Sequence, residues 1–379
     1  MSFKVAVVGG AGHIGLPFSC FIANKGIETV IIDIDEDNIK KISNKTPPFF
    51  EDEIENQLSR AIDLGMKATK DMTNISNCNI VFITLGTSSN EKDIANFNKL
   101  VEEVIEHTNK ETTILLRSTI SPGTMKRISK THEKNNDLRF IYAPERIAEG
   151  KAFKEFKEMP QIIGCKNDED FQYISQFFRL LDIDVLKTSY EEAEFLKLFL
   201  NTYRYMQFST LNFFQNIAYD NSLDFKRILS IASMEYPRLE SVPDSGFVGG
   251  PCLIKDSKTF SKSYPNSENL INIFLKVNED FIDNIIRQCF LEFKNKRIIQ
   301  LGLTFKPESD DLRDSQASLL YQRLIEEGFD VEVYDPYLEN TSEWDDIKNF
   351  SENVIIATNH PEFQNLELNN KKVMLIGTK

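Results

Sequence analysis

The chain opens with Phe3-Lys-Val-Ala-Val-Val8-Gly-Gly10-Ala-Gly12-His13-Ile14-Gly15-Leu-Pro17-Phe18, and a second apolar run, Thr29-Val-Ile-Ile32, ends at Asp33. The order is strand, glycine-rich turn, helix, strand, acidic residue. Gly10 makes the tight turn, Gly12 lets the backbone approach a pyrophosphate, and Gly15 allows the helix to pack closely on the strand. The helix N-terminus then faces the phosphates. A lone Gly-x-Gly-x-x-Gly is a weak signal. The strand before it, the helix after it and Asp33 make it specific for a dinucleotide. Asp33 is placed to hold ribose hydroxyls and repel a 2′-phosphate, which selects NAD over NADP. A simple strand-end carboxylate is the other reading of Asp33.

Further strands are predicted at Ile80–Leu85, Thr113–Leu116, Phe140–Tyr142, Gln161–Gly164 and Val185–Lys187. Helical patterns lie between them, at Ile94–His107, Met125–Lys134 and Phe171–Leu181. This alternation predicts an α/β fold with a Rossmann-type, doubly wound parallel sheet. Ligands of such sheets bind beyond the carboxyl ends of the strands. Polar groups gather at those ends: Thr87, then Arg117-Ser118-Thr119 with Pro122-Gly123-Thr124, then Pro144-Glu145-Arg146 to Glu149. Glu145 and Glu149 are spaced for one side of a helical turn, and paired carboxylates suit acid–base work. Two solvated loop glutamates would have the same spacing.

At 379 residues the chain has room for two or three domains. Its composition, 41% hydrophobic and 27% charged, is that of an ordinary globular protein. A net charge of −14 argues against nucleic acid or an anionic membrane as the main partner. Five scattered cysteines fit neither a disulfide framework nor a metal site. There is no signal-peptide pattern and no run long enough to span a bilayer, so the expectation is a reduced, cytoplasmic protein.

Tyr190–Tyr219 has no Gly or Pro and is apolar on most sides, which predicts a long buried helix. Its first half carries a polar stripe, Glu194, Lys197, Asn201 and Arg204. A buried lysine without a partner is costly, so the stripe is expected to line a polar cavity or to form a structural ion-pair network. Helical patterns recur at Asp224–Tyr236 and Ser267–Phe293. Such apolar helical area favours a homodimer.

Between them lies Ser245-Gly-Phe247-Val-Gly249-Gly250-Pro251-Cys252-Leu-Ile-Lys255-Asp256. The glycines allow a tight turn close to a ligand. If a helix opens here, Lys255 and Asp256 follow Cys252 by one turn. A helix start and a neighbouring ammonium both favour thiolate over thiol, which suits covalent catalysis. A small buried cysteine in an ordinary turn fits these twelve residues equally.

The C-terminal part reads as a second, smaller α/β unit. Strands are predicted at Lys296–Leu301, Val331–Tyr334, Val354–Ala357 and Lys372–Ile376, with a helix at Gln316–Glu327. The loop after its first strand holds Phe305, Lys306, Asp311, Arg313 and Ser315. Arg offers phosphate a bidentate grip and Lys a point charge. Ser315 is placed to cap the following helix. His360 has no evident partner and reads as structural. The expected domains are therefore 1–188, 189–294 (helical) and 295–379.

Together these pieces resemble one family, the UDP-glucose/GDP-mannose dehydrogenases, or nucleotide-sugar 6-dehydrogenases. Six motifs carry the resemblance in order: Gly10-x-Gly12-x-x-Gly15-Leu-Pro, Ser118-Thr119-x-x-Pro-Gly-Thr124, Pro144-Glu145-Arg146 to Gly150, Glu194-x-x-Lys197-x-x-x-Asn201, Gly249-Gly250-x-Cys252-x-x-Lys255-Asp256, and Phe305-Lys306 to Ser315. The resemblance implies oxidation of a nucleotide sugar, a UDP- or GDP-sugar, at carbon 6 by two NAD in turn. It implies Cys252, Lys197, Asn201, Asp256, Glu145 and Thr119 as catalytic residues. The cofactor residues it implies are Gly10, Gly12, His13, Ile14, Gly15, Asp33, Thr87, Ser118, Thr119 and Glu149. For the substrate it implies Glu145, Lys197, Asn201, Phe247, Gly249, Lys255, Phe305, Lys306 and Arg313. No metal is implied. By the same resemblance, Cys252 would attack the first-formed aldehyde, a second oxidation would give a thioester, and water would release the acid. The product would feed surface polysaccharide.

The chain departs from the family pattern at Thr84-Leu85-Gly86-Thr87-Ser88, at Phe213 after Asn212, at Pro251, and in a short C-terminus. Lys255 with Asp256 resembles the UDP-glucose and GDP-mannose branches more than the N-acetylhexosamine branches. Two other readings are a two-electron β-hydroxyacid dehydrogenase, which needs neither Cys252 nor a second α/β unit, and a catalytically silent nucleotide-sugar sensor.

Overall fold

Runs rich in Val, Ile, Leu and Phe become strands buried on both faces. A computed structural model describes residues 3–86, 91–132, 138–239 and 241–376. In β1 (Lys4–Val8), Val5 and Val7 enter one core cluster while Ala6 and Val8 enter another. In β4 (Ile80–Ile83), Ile80 and Phe82 join the first cluster, Val81 and Ile83 the second. Alternation with both sides apolar is the pattern of a sheet covered by helices on each face.

Contacts group the chain into two units, Met1–Phe199 and Leu200–Lys379, and the division falls within the helix Tyr190–Asp220. The first unit contains an eight-stranded sheet. Its strands are β1, β2 (Glu28–Ile32), β3 (Lys67–Thr69), β4, β5 (Thr113–Leu116), β6 (Arg139–Tyr142), β7 (Gln161–Gly164) and β8 (Val185–Thr188). They lie in the order β3-β2-β1-β4-β5-β6-β7-β8. Val8 pairs with both Ile32 and Ile83, so Gly9, Asp33 and Thr84 leave the sheet at one edge, where the strand order reverses.

The sheet is not wholly parallel: β7 runs antiparallel to β6 through Tyr142 and Gly164. Residues 143–148 form neither helix nor strand, and the helix Ala152–Glu158 has only 7 residues. The chain therefore re-enters the sheet from the edge it left. For the same reason Glu145 and Glu149 do not share a helical turn.

In the second unit, Asp224 caps the helix Phe225–Ser233 by accepting from the Arg227 amide at 2.9 Å. The helices Leu253–Ser263 and Glu268–Glu292 follow. A parallel sheet of β9 (Arg297–Leu301), β10 (Asp330–Tyr334), β11 (Asn353–Ile356) and β12 (Lys372–Leu375) has the order β10-β9-β11-β12. Ser315 caps the helix Gln316–Glu326 as expected, accepting from the Ser318 amide.

The long helix Tyr190–Asp220 forms as predicted, but it is not buried all round. Glu194, Lys197, Thr202, Ser209, Asn212 and Gln215 are buried, whereas Phe195, Phe199, Tyr203, Phe213, Phe214 and Ile217 are exposed. Several of these polar groups are matched by hydrogen bonds, though Thr202 Oγ1 and Gln215 Oε1 have no hydrogen-bond partner among the described residues. Ser209 Oγ donates to Tyr205 O at 2.8 Å, and Asn212 binds Gly246 and Asn278.

Candidate active site

The glycine loop is shaped by close packing. A Cβ at Gly10 would stand 2.6 Å from Val7 O, and one at Gly15 would stand 2.5 Å from Gly10 Cα. A Cβ at Gly12 would meet nothing nearer than 3.7 Å, so the backbone there is open to a ligand. Asp33 Oδ2 accepts from the Ala11 amide at 2.9 Å, which ties the acid to the loop. Beside them is a cavity of about 480 Å³, with Gly9, Asp33, Ile34, Met72, Leu85 and Phe97 among its lining. An apolar slot with a carboxylate at its edge fits the adenosine half of NAD. The His13 ring stacks on Phe49 at 4.0 Å, with its Nδ1 3.9 Å from Glu149. Ile14 is the N-cap of the helix Gly15–Ala23. Thr87 lies outside the described residues.

Beyond β5 and β6 the same unit buries a charged cluster. The Arg117 guanidinium pairs with Glu145, donates to Gln161 Oε1 at 3.0 Å, and lies 4.1 Å over the Phe18 ring. The Arg146 and Ile147 amides donate to Glu145 Oε1 at 2.7 and 2.9 Å. Burial pushes the Glu145 carboxyl up, but Arg117 and these amides outweigh it and hold it below the usual carboxylate range. Lys197 Nζ donates to Glu145 O at 2.7 Å, which supplies the partner that a buried lysine needs. Ser118 is buried, with its hydroxyl 3.4 Å from Ile83 O. Thr119 is half-buried beside it.

The polar stripe of the long helix therefore splits. Glu194 accepts from the Gly123 and Met125 amides at 2.6 and 2.8 Å and caps the helix Thr124–Thr131, while burial raises its carboxyl. Arg204 is exposed. Lys197 and Asn201 each meet a polar partner within their own unit, Glu145 O and Asp256 Oδ2.

In the second unit Cys252 is the N-cap of the helix Leu253–Ser263. It is exposed, while the other four cysteines are buried. Pro251 stands before the cap, where a missing amide removes no helical hydrogen bond. One turn along, Asp256 is fully buried, and Asn201 Nδ2 donates to its Oδ2 at 2.6 Å. Asp256 Oδ1 has no hydrogen-bond partner among the described residues, with Lys255 Nζ at 3.6 Å.

This loop is packed on the one after β9. A Cβ at Gly249 would stand 2.6 Å from Asp314 O, and the Gly250 amide donates to Asp314 O at 3.1 Å. Arg313 grips Asp311 through Nε and Nη2 and keeps an exposed face. Lys306 Nζ lies 5.7 Å from the Phe305 ring centre. Phe247 packs edge-on against Phe281 at 6.2 Å.

Sequence reasoning missed three supports. Glu51 accepts from the Gly150 and Ala152 amides at 2.7 and 2.9 Å, next to Glu149. Asn212 exchanges two hydrogen bonds of 2.8 Å with the main chain of Gly246, six residues before the cysteine. His360, read as partnerless, contacts Asp335, Thr304 and Glu308. The pairing of Asn212 with a nearby glycine-rich loop had one signal, a buried amide on an otherwise apolar helix.

A doubly wound sheet with this glycine loop and its strand-end acid defines an NAD-binding oxidoreductase. The family models for the UDP-glucose/GDP-mannose dehydrogenases match in three parts: the NAD binding domain at residues 3–182, the central domain at 191–280, and the UDP binding domain at 300–378. The chain belongs to the UDP-glucose/GDP-mannose dehydrogenase family and is an NAD-dependent nucleotide-sugar dehydrogenase. It is 27% identical to a UDP-N-acetyl-D-mannosamine dehydrogenase of Pyrococcus horikoshii, over 96% of this chain and 91% of that one. It is 24% identical to a UDP-glucose 6-dehydrogenase of Rickettsia bellii, over 94% of this chain and 90% of that one. A solved UDP-D-ManNAc dehydrogenase structure from P. horikoshii is similar with a TM-score of 0.88, covering 96% and 91% of the two chains.

Proposed function

We propose that this protein oxidises carbon 6 of a UDP-linked hexose to the carboxylate, in two oxidations joined by a covalent bond to Cys252. The observation that carries this reading is the pairing of an exposed cysteine at a helix start with a buried carboxylate, Asp256, one turn along. When bound, NAD accepts the hydride that leaves carbon 6 in each oxidation.

The chain's own groups handle protons and charge. In the first oxidation the hydroxyl proton passes to Lys197 or to a water held by Asp256. The Cys252 sulfur then adds to the aldehyde, and Lys197 with Asn201 stabilises the oxyanion. Oxidation of this thiohemiacetal gives a thioester. Water adds to it, the thiolate leaves, and the carboxylate is released. We assign the general base for that water to Asp256, because Oδ1 is open to a hydrogen bond while Glu145 is engaged by Arg117 and two amides. Glu145 and Thr119 position groups at this step. Thr87, Ser118, His13 and Glu149 are assigned to the cofactor.

The names of the Pyrococcus and Rickettsia relatives, both UDP-sugar dehydrogenases, favour uridine over guanosine. We assign UDP-glucose as the sugar, on Lys255 beside Asp256. A second reading, UDP-N-acetyl-D-mannosamine, is favoured by the name of the Pyrococcus relative. Residues 1–188, 189–294 and 295–379 are taken as cofactor, central and nucleotide domains. The exposed aromatic face of the long helix supports a homodimer. Five free cysteines support a reducing, cytoplasmic location, and a uronate product suits polysaccharide synthesis.

The test is NADH formation with UDP-glucose, UDP-N-acetylglucosamine, UDP-N-acetylmannosamine and GDP-mannose. Turnover of UDP-glucose supports the first assignment, and turnover of UDP-N-acetylmannosamine alone replaces it with the second. Tight binding of one sugar without any NADH overturns the catalytic reading in favour of a sensor.

A further inference from the structure

His360 follows β11 and is fully buried, between Tyr337, stacked at 5.0 Å, and Phe363, edge-on at 5.2 Å. Both ring nitrogens are engaged. The Glu308 amide donates to Nδ1 at 3.2 Å. A backbone N–H can only donate, so Nδ1 carries a lone pair and the ring proton sits on Nε2. Nε2 lies 3.2 Å from Asp335 Oδ2 and 3.2 Å from Thr304 Oγ1. Asp335 in turn accepts from the Leu303 amide at 2.8 Å and the Thr304 amide at 3.2 Å, and Thr304 Oγ1 donates to Lys306 O at 3.0 Å.

These contacts bracket one short stretch. Thr304 and Glu308 are both tied to the imidazole, and Phe305 and Lys306 lie between them. Glu308 has a left-handed backbone, φ +54, a conformation that a non-glycine residue keeps only when its surroundings hold it. The Phe305 ring in turn lies against Gly250, two residues before Cys252.

We propose that His360 is a positioning residue for the nucleotide-sugar loop: as its Nε2–H tautomer it clamps Thr304 and Glu308, and so sets the pose of Phe305 and Lys306 toward the nucleotide. It touches no substrate atom itself. The inference rests on the reading of this unit as the nucleotide-binding part. It predicts that the ring acts on affinity for the nucleotide and not on affinity for NAD.

The test uses the full-length protein and two single variants, with UDP binding measured by calorimetry and KM measured for each substrate. His360→Gln carries an amide donor out toward Asp335 and Thr304 but loses the Nδ1 acceptor. His360→Asn keeps an acceptor near Nδ1. His360→Gln is expected to weaken UDP binding and raise the nucleotide-sugar KM by about tenfold, the effect of leaving one buried donor unpaired. The KM for NAD is expected to stay within about twofold, and His360→Asn, which keeps the Nδ1 acceptor but loses the Nε2 donor, to weaken UDP binding as well. Equal UDP affinity in wild type and His360→Gln overturns the proposal, as does a parallel rise in both KM values or wild-type UDP affinity in His360→Asn. Failure of the wild type itself to bind UDP overturns the underlying nucleotide reading, and is told apart because it appears before any substitution is made.

Discussion

Gly250 lies against the Phe305 ring: a Cβ built on it would stand 2.5 Å from Cδ2, and its φ of +88 is one that side chains rarely adopt. The cysteine loop and the nucleotide loop are thereby locked together inside one unit. Gly250→Ala is expected to cost about 1–3 kcal/mol through backbone strain alone, and more through the displaced ring. Urea unfolding measures the sum of the two. In a Phe305→Ala background the contact is gone but the strain is not, so Gly250→Ala is expected to cost less there than in the wild type, yet still to cost stability. No cost in that background would show that backbone strain contributes nothing.

Arg117 and Glu145 form a buried ion pair. Arg117→Met is expected to destabilise by about 3–5 kcal/mol, because it strands a carboxylate away from water. Arg117→Met with Glu145→Gln should regain much of this, since the charge is gone. A double variant no more stable than Arg117→Met would mean that the guanidinium acts mainly through Gln161 and the Phe18 ring.

Asp256 is held by Asn201 and is assigned as the base for thioester hydrolysis. Asp256→Asn is expected to lower kcat by about 10²–10⁴-fold, the range of general-base catalysis, with little change in UDP affinity. Rapid-quench kinetics should show sugar carbon accumulating on Cys252. No covalent build-up together with a lowered kcat would place Asp256 in the first oxidation.

Asp335 gives a pH dependence. Burial opposes its ionisation, but hydrogen bonds from His360 and from the Leu303 and Tyr337 amides outweigh burial and hold its carboxyl below the usual aspartate range. The unfolded chain therefore takes up this proton at higher pH than the folded one. The stabilisation is present above the unfolded value of about 4 and is lost as pH falls through the lowered folded value. The difference in urea midpoint between wild type and Asp335→Asn is expected to be largest near neutrality and to shrink below about pH 4. A difference that stays constant into strong acid contradicts this linkage.

What could be read in the sequence and what could not divide along a physical line. Gly10, Gly12, Gly15 and Asp33 were legible because a pyrophosphate and a ribose impose their spacing along one continuous stretch. Strands such as β1, β4 and β5 were legible because burial on both faces leaves unbroken apolar runs, whereas the short, partly exposed β3 was not. The antiparallel turn into β7 was not, because it depends on how far the extended stretch after Tyr142 carries the chain. Glu194 read as part of a polar stripe, yet its partners are the Gly123 and Met125 amides, 71 and 69 residues away. His360 found Glu308 at a separation of 52 and Asp335 at 25. The long helix misled by composition: Phe195, Phe199, Tyr203, Phe213 and Phe214 are exposed, while Asn212 is buried because it meets Gly246 and Asn278, partners that periodicity cannot supply.

The most direct test of the central claim is the count of NADH formed per nucleotide sugar consumed, for wild type and for Cys252→Ser. Two NADH and one carboxylate per sugar in the wild type, with no carboxylate released by Cys252→Ser, is the predicted result. One NADH per sugar in the wild type, or complete conversion to acid by Cys252→Ser, would contradict the covalent four-electron route.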